Sequence, residues 1–234
     1  DETLFEELHK KYPARDNYRY DSYHAWKRAA HRAMRLLEHI DLQQTGLRVL
    51  DVGCGDGMFG SVLSGYGYKT AMIDLLDWRD RRAKRTPFVQ ANLDHNLPFQ
   101  SASFDLICSY NTFEHLRYPE LVFSELDRTS KPGAIIYLHF GPLYASPWGL
   151  HAHRTLHIPY VQFLFTPCLI DRKLKQYGIG DLGKKQDALQ PLNQWRLKQF
   201  TELWDHVNFE VIYQVIGTDL THLHLAKEYP QAFQ

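Results

Sequence analysis

The chain has 234 residues, enough for one α/β domain with a substantial core. Its 27 basic and 27 acidic residues cancel, which argues against bulk nucleic acid or an anionic membrane as the main partner. Three separated cysteines, Cys54, Cys108 and Cys168, form no C-x-x-C pair and read as reduced thiols of a cytoplasmic protein; no signal peptide or membrane span is expected.

In chain order, residues 1–42 precede the first strand, and 22–40 (SYHAWKRAAHRAMRLLEHI) reads as an amphipathic helix. Apolar runs predict strands at 47–52, 69–74, 87–91, 104–110, 134–140 and 209–216. Helical patterns fall near 57–66, 118–129 and 193–207, and residues 221–234 read as a helix and polar tail. This alternation predicts an α/β fold: a mostly parallel, Rossmann-like sheet with helices on both faces. The stretch 141–191 is too long for a bare loop. Together with 1–42 it reads as a cap over the site of a single domain, whose core comprises 43–140 and 192–234.

The most informative segment is Val49 to Gly60, VLDVGCGDGMFG, where an apolar strand meets a glycine-rich turn and then a helical pattern. A dinucleotide fingerprint would need a third glycine at position 58, which is Met58, and a phosphate-cradling loop would need Gly-Lys-Ser/Thr. Asp51 and Asp56 add negative charge that repels pyrophosphate and suits an ammonium or sulfonium group. Asp74 ends the next strand, about where a ribose-binding acid stands in nucleotide sites. S-adenosylmethionine (SAM) therefore suits the turn better than NAD.

These residues, with Asn92-Leu93, Leu97-Pro98-Phe99, Phe104–Ile107 and Lys131–Ile136 in order across about 47–140, resemble class I SAM-dependent methyltransferases. The broad group includes the ubiquinone/menaquinone-biosynthesis enzymes. The resemblance implies a cofactor site in which Asp51, Gly53, Cys54 and Gly55 surround the methionine moiety and Asp74 takes the ribose. Leu75, Asn92 and Leu93 would frame the adenine, and Tyr110 would line the methyl-transfer end. Many relatives carry an acid where this chain has Asn92, which bears on adenine recognition. Some carry one where Asn111 stands and bind a divalent ion there, and the amide removes that ligand, so no metal site is expected. A fold resembling the family would end in an antiparallel strand pair, whereas no seventh strand follows 209–216 and the chain opens at Asp1. The sequence therefore reads as trimmed at both ends.

Candidate catalytic residues are His115, beside Glu114 after the fourth strand, and His151 and His153 in the run WGLHAHRTLH. An imidazole there can serve as general base or substrate contact. The spacing of His151, His153 and His157 also permits a metal set, or a folded loop with hydrogen-bonded histidines. Aromatics such as Tyr18, Tyr20, Tyr23, Trp26, Tyr144, Trp148 and Tyr160 suggest core packing and an apolar pocket. The basic run Arg79–Arg85 reads as a solvated face. The expected function is methyl transfer from SAM to a small, apolar or aromatic acceptor by in-line displacement. An RNA or protein methyltransferase and a non-catalytic SAM-binding module are the alternatives.

Overall fold

The computed structural model describes residues 1–14, 19–40, 46–181 and 184–233. Tyr18 lies outside the described residues. The chain divides into two compact units, 19–140 and 1–18 with 141–234. The N-terminal segment is thus shared between them, and 192–234 groups with the unit that lacks the five-stranded sheet.

The unit 19–140 is built on that sheet, with strands β1 (Arg48–Val52), β2 (Lys69–Asp74), β3 (Phe88–Gln90), β4 (Phe104–Tyr110) and β5 (Ser130–His139). The order is β3-β2-β1-β4-β5, and every pairing is parallel. Successive residues Val49 and Leu50 in β1, and Leu106 and Ile107 in β4, are fully buried. Burial on both faces is why these strands read as continuous apolar runs.

Two helices, α1 (Glu2–Lys11) and α2 (Ser22–His39), precede β1. Helix α2 begins where Asp21 accepts from the backbone nitrogens of Tyr23 and His24. It buries the stripe Ala25, Ala29, Ala33 and Leu36 in a cluster that includes Phe59 and Leu63 of α3 (Met58–Gly65). Small alanines on that face let the two helix backbones approach. Helix α4 (Pro119–Thr129) links β4 to β5, with Pro119 pre-set for its first turn.

The other unit contains α1, α5 (Val161–Leu164), α6 (Pro167–Tyr177), the short hairpin β6 (Ile179–Asp181) and β7 (Lys184–Gln186), α7 (Leu197–Asp205) and α8 (His224–Glu228). Phe5 and Leu8 of α1 bury against Leu156, Phe165, Ile170 and Leu174. Lys173 of α6, nearly inaccessible, meets Glu2 at 2.8 Å and also pairs with Glu6, which fixes α1 on α6. No helix among the described residues is long and apolar enough to cross a membrane.

The sixth strand expected at 209–216 is not formed: the backbone there pairs with no strand among the described residues. Val211, Ile212, Val215 and Ile216 are exposed, Ile212 and Val215 at 71%. Apolar, β-branched composition gives a segment a preference for a pleated surface, but the ladder needs a neighbour that composition does not supply.

Candidate functional site

The glycine turn joins the carboxyl end of β1 to α3, the edge where ligands bind in open parallel sheets. Gly53, Gly55 and Gly57 all have positive φ (68°, 53° and 68°), a conformation costly for side chains with a Cβ. They differ in what surrounds them. A Cβ on Gly53 would stand 2.1 Å from Thr112 Oγ1, and one on Gly57 would stand 2.8 Å from Arg79 Cγ. A Cβ on Gly55 would meet nothing within 4 Å. Gly53 and Gly57 are therefore demanded by the fold, whereas Gly55 leaves open space above the backbone.

Asp74, at the end of β2, bridges to this turn through Oδ2, which accepts a 2.8 Å hydrogen bond from the Gly55 nitrogen. Burial raises its pKa, opposed by hydrogen bonds from the Gly55, Leu75 and Leu76 nitrogens. Leu75 and Leu76, by contrast, are exposed apolar side chains. Exposed apolar side chains at the mouth of a ligand edge are suited to cover a flat ring.

Asp51 is 2% exposed and accepts from the Gly60 nitrogen at 3.1 Å. Burial pushes its pKa up to about 7; Arg32 and the Gly60 bond oppose this, and Asp56 and Asp74 add to it. Asp56 caps the start of α3 through the Met58 nitrogen (3.0 Å) and faces Arg28 at 3.7 Å. Asp56 and Asp74 place negative charge beside the turn, which repels phosphate and favours a cation, while buried Asp51 carries only part of a charge near neutral pH. An ammonium and a sulfonium on one ligand fit this donor set, and the open approach over Gly55 gives a nucleoside-like body room to lie.

Tyr110 ends β4 nearly buried, and its hydroxyl donates to the Arg32 carbonyl of α2 (3.2 Å). The Arg32 guanidinium lies 4.7 Å over the Tyr110 ring, a cation–π contact. The His139 ring, at the end of β5, is 5.5 Å from Tyr110. Burial, then Arg32 and Arg35, lower the His139 pKa and favour its neutral form. Arg32 forms no ion pair among the described residues. The amphipathic pattern of 22–40 identified its helix but not its role, because an arginine on a helix face carries no signal of what the opposite strand presents.

Asn92 Oδ1 accepts from the Asp94 nitrogen (3.0 Å), so its amide oxygen shapes the loop, while Leu93 beside it is buried. Cys54 is buried, and desolvation with the nearby acids Asp51 and Asp74 raises its pKa, so it stays an unreactive thiol. His115 sits in the turn after β4, its nitrogen bonded to the Thr112 carbonyl at 2.8 Å. Asp94 takes the Arg117 and Tyr118 nitrogens that precede α4.

The histidine run lies in the other unit and is not gathered to one point. His151, with φ 58°, places Nε2 2.8 Å from the Pro142 carbonyl. His153 approaches the Trp148 ring at 6.3 Å, and His157 stacks on His9 at 4.7 Å. The three imidazoles thus face three different partners.

Residues 20–214 match the family described as "Methyltransferase domain". A malonyl-[acyl-carrier protein] O-methyltransferase of Erwinia pyrifoliae is 34% identical over 102 residues, 42% of this chain and 38% of that protein. A ubiquinone biosynthesis O-methyltransferase of Nitrosococcus oceani is 29% identical over 110 residues, 44% and 46% of the two chains. The chain thus spans less than half the length of these curated relatives. Among solved structures, an S-adenosylmethionine-dependent methyltransferase from Mesorhizobium loti is 25% identical with a TM-score of 0.40, covering 47% of this chain and 52% of that one.

Proposed function

This chain belongs to the methyltransferase domain family, and from that premise we propose that it transfers the methyl group of SAM to an oxygen of a small organic acceptor. The observation that carries the proposal is the bridge from Asp74 to the Gly55 nitrogen beside the buried Asp51. It supplies a ribose-binding acid, an open glycine edge and a cation-favouring field on one rim of the sheet. The O-methyltransferase names of the two relatives support an oxygen acceptor.

SAM, when bound, supplies an electrophilic methyl group that leaves sulfur by in-line displacement. The chain's own residues then have three tasks. Asp74 would hold the ribose hydroxyls by charge-assisted hydrogen bonds, while Leu75 and the backbone at Leu93 would flank the base. Asp51, partly ionised near neutral pH, would add negative charge at the amino-acid end, and Arg32 would receive the carboxylate there. Positioning of this kind supplies much of the rate in a displacement reaction. A hydroxyl acceptor must also lose its proton, and a neutral imidazole is the side chain suited to take it near pH 7. His115, His151 and His153 are the candidates for that task.

The test is turnover. Purified protein with SAM should form S-adenosylhomocysteine in the presence of a fractionated small-metabolite pool. Product formed only with RNA or protein fractions would move the acceptor to a macromolecule. Binding of SAM with no product from any fraction would leave a non-catalytic module.

A further inference from the structure

At the amino-terminal edge of the sheet, opposite the glycine turn, a hollow of about 430 Å³ is lined by Arg48, Tyr68, Lys69, Pro87, Phe99 and Phe104. Its size is that of a small-molecule site. Two features give it a chemical preference.

The first is charge. Arg48 and Lys69 open β1 and β2 and are register partners in the parallel ladder. Like charges directly opposed on neighbouring strands repel. Neither cation forms an ion pair among the described residues. The adjacent carboxylate, Asp105, is held by Lys131 Nζ at 2.8 Å to both oxygens and by the Arg48 backbone nitrogen at 2.8 Å to Oδ2. The Arg48 charge also acts on it, so Asp105 offsets part of that charge and leaves Lys69 without a carboxylate partner among the described residues.

The second is the floor. Tyr68 and Phe104 are buried beneath the hollow, and the Phe99 ring meets Phe104 edge-on at 5.1 Å. The Arg48 guanidinium stands 5.8 Å from the centre of the Phe104 ring. Cations at the rim over an aromatic floor match a flat apolar body that carries one anionic group.

We propose that this hollow is a second ligand site, distinct from the cofactor edge, for a small aromatic carboxylate. The ring would lie against Phe99 and Phe104, and the carboxylate would bridge Arg48 and Lys69, relieving their repulsion. Arg48 can engage a carboxylate with two parallel N–H donors, and Lys69 adds a point charge.

The experiment is titration of the intact chain with 1-naphthoate, monitored by amide chemical shifts, with and without saturating S-adenosylhomocysteine. 1-Naphthalenemethanol, which keeps the ring and lacks the charge, is the control. Naphthoate should shift amides of Arg48, Lys69, Thr70 and Phe104 equally with and without the cofactor product. Its affinity should fall at least tenfold in the Arg48→Gln/Lys69→Gln double variant, whose substitutions lie on the exposed rim and leave the core intact. Equal binding of the alcohol, unchanged binding in the variant, or displacement by S-adenosylhomocysteine would each overturn the proposal. Because the readout is amide shifts at the opposite edge of the sheet, it stands or falls apart from the methyl-transfer assignment.

Discussion

The Asp74 carboxylate and the Gly55 backbone nitrogen, 19 residues apart in sequence, meet at 2.8 Å across the mouth of the glycine turn. One Asp74 oxygen is thereby fixed, and the acid is held at the rim of the open approach over Gly55. Asp74→Ala removes this brace together with the charge-assisted ribose contact proposed for it. SAM affinity should fall by about 1.5–3 kcal/mol, roughly 10- to 150-fold, while NAD⁺ remains unbound. Unchanged SAM affinity on calorimetric titration would remove Asp74 from the ribose site.

The glycines of the turn should separate folding from binding. Gly53→Ala drives a Cβ into buried Thr112 at a positive φ, and should cost about 1–3 kcal/mol of stability. Gly55→Ala meets open space, so its cost should be only the left-handed backbone, about 1 kcal/mol. Its SAM affinity should nonetheless drop, because the methyl group occupies the cofactor's approach. Urea midpoints and titrations of the two variants check this; equal loss of stability in both would contradict it.

Asp51 gives a pH signature. With its native pKa raised to about 7 by burial, the folded chain keeps a proton that the unfolded chain has lost. Asp51 therefore contributes a stability that falls as pH rises from about 4 to about 7. Asp51→Asn should flatten that slope and leave the ligand-free protein more stable at pH 8 by roughly 1–4 kcal/mol. The same variant should bind SAM more weakly. Parallel urea midpoints for wild type and variant at pH 5 and pH 8 would contradict the assignment.

Arg32, stacked on Tyr110, is read as the anchor for the carboxylate of the amino-acid moiety. Arg32→Met should lower affinity for S-adenosylhomocysteine about tenfold, as expected for one charged hydrogen bond. Affinity for 5′-methylthioadenosine, which has no amino-acid moiety, should stay the same. An equal loss for both ligands would show that Arg32 supports the helix rather than the ligand.

If one of His115, His151 and His153 is the base, its Ala variant should lose kcat with SAM affinity unchanged. Kinetics of all three variants decide the matter, and full activity throughout would leave the imidazoles structural.

The central strands β1 and β4 were legible because burial on both faces leaves unbroken apolar runs, Val49–Leu50 and Leu106–Ile107. The turn was legible because glycines at positions 53, 55 and 57 answer to positive φ. Residues 209–216 looked equally strand-like, yet pairing depends on a partner strand, which a local run does not encode. Arg32 went unread for a related reason: its significance comes from Tyr110 and His139, which are distant in sequence. The spacing of His151, His153 and His157 left base, metal and folded-loop readings open, because spacing alone does not say where each ring turns. His151 meets the Pro142 carbonyl, His153 approaches Trp148 and His157 stacks on His9.

The most direct test of the central claim is calorimetric titration of the chain with SAM and with NAD⁺ under identical conditions. SAM should bind saturably, one-to-one and in the micromolar range, and NAD⁺ should not bind. Absence of SAM binding, or preference for the pyrophosphate-bearing NAD⁺, would contradict it.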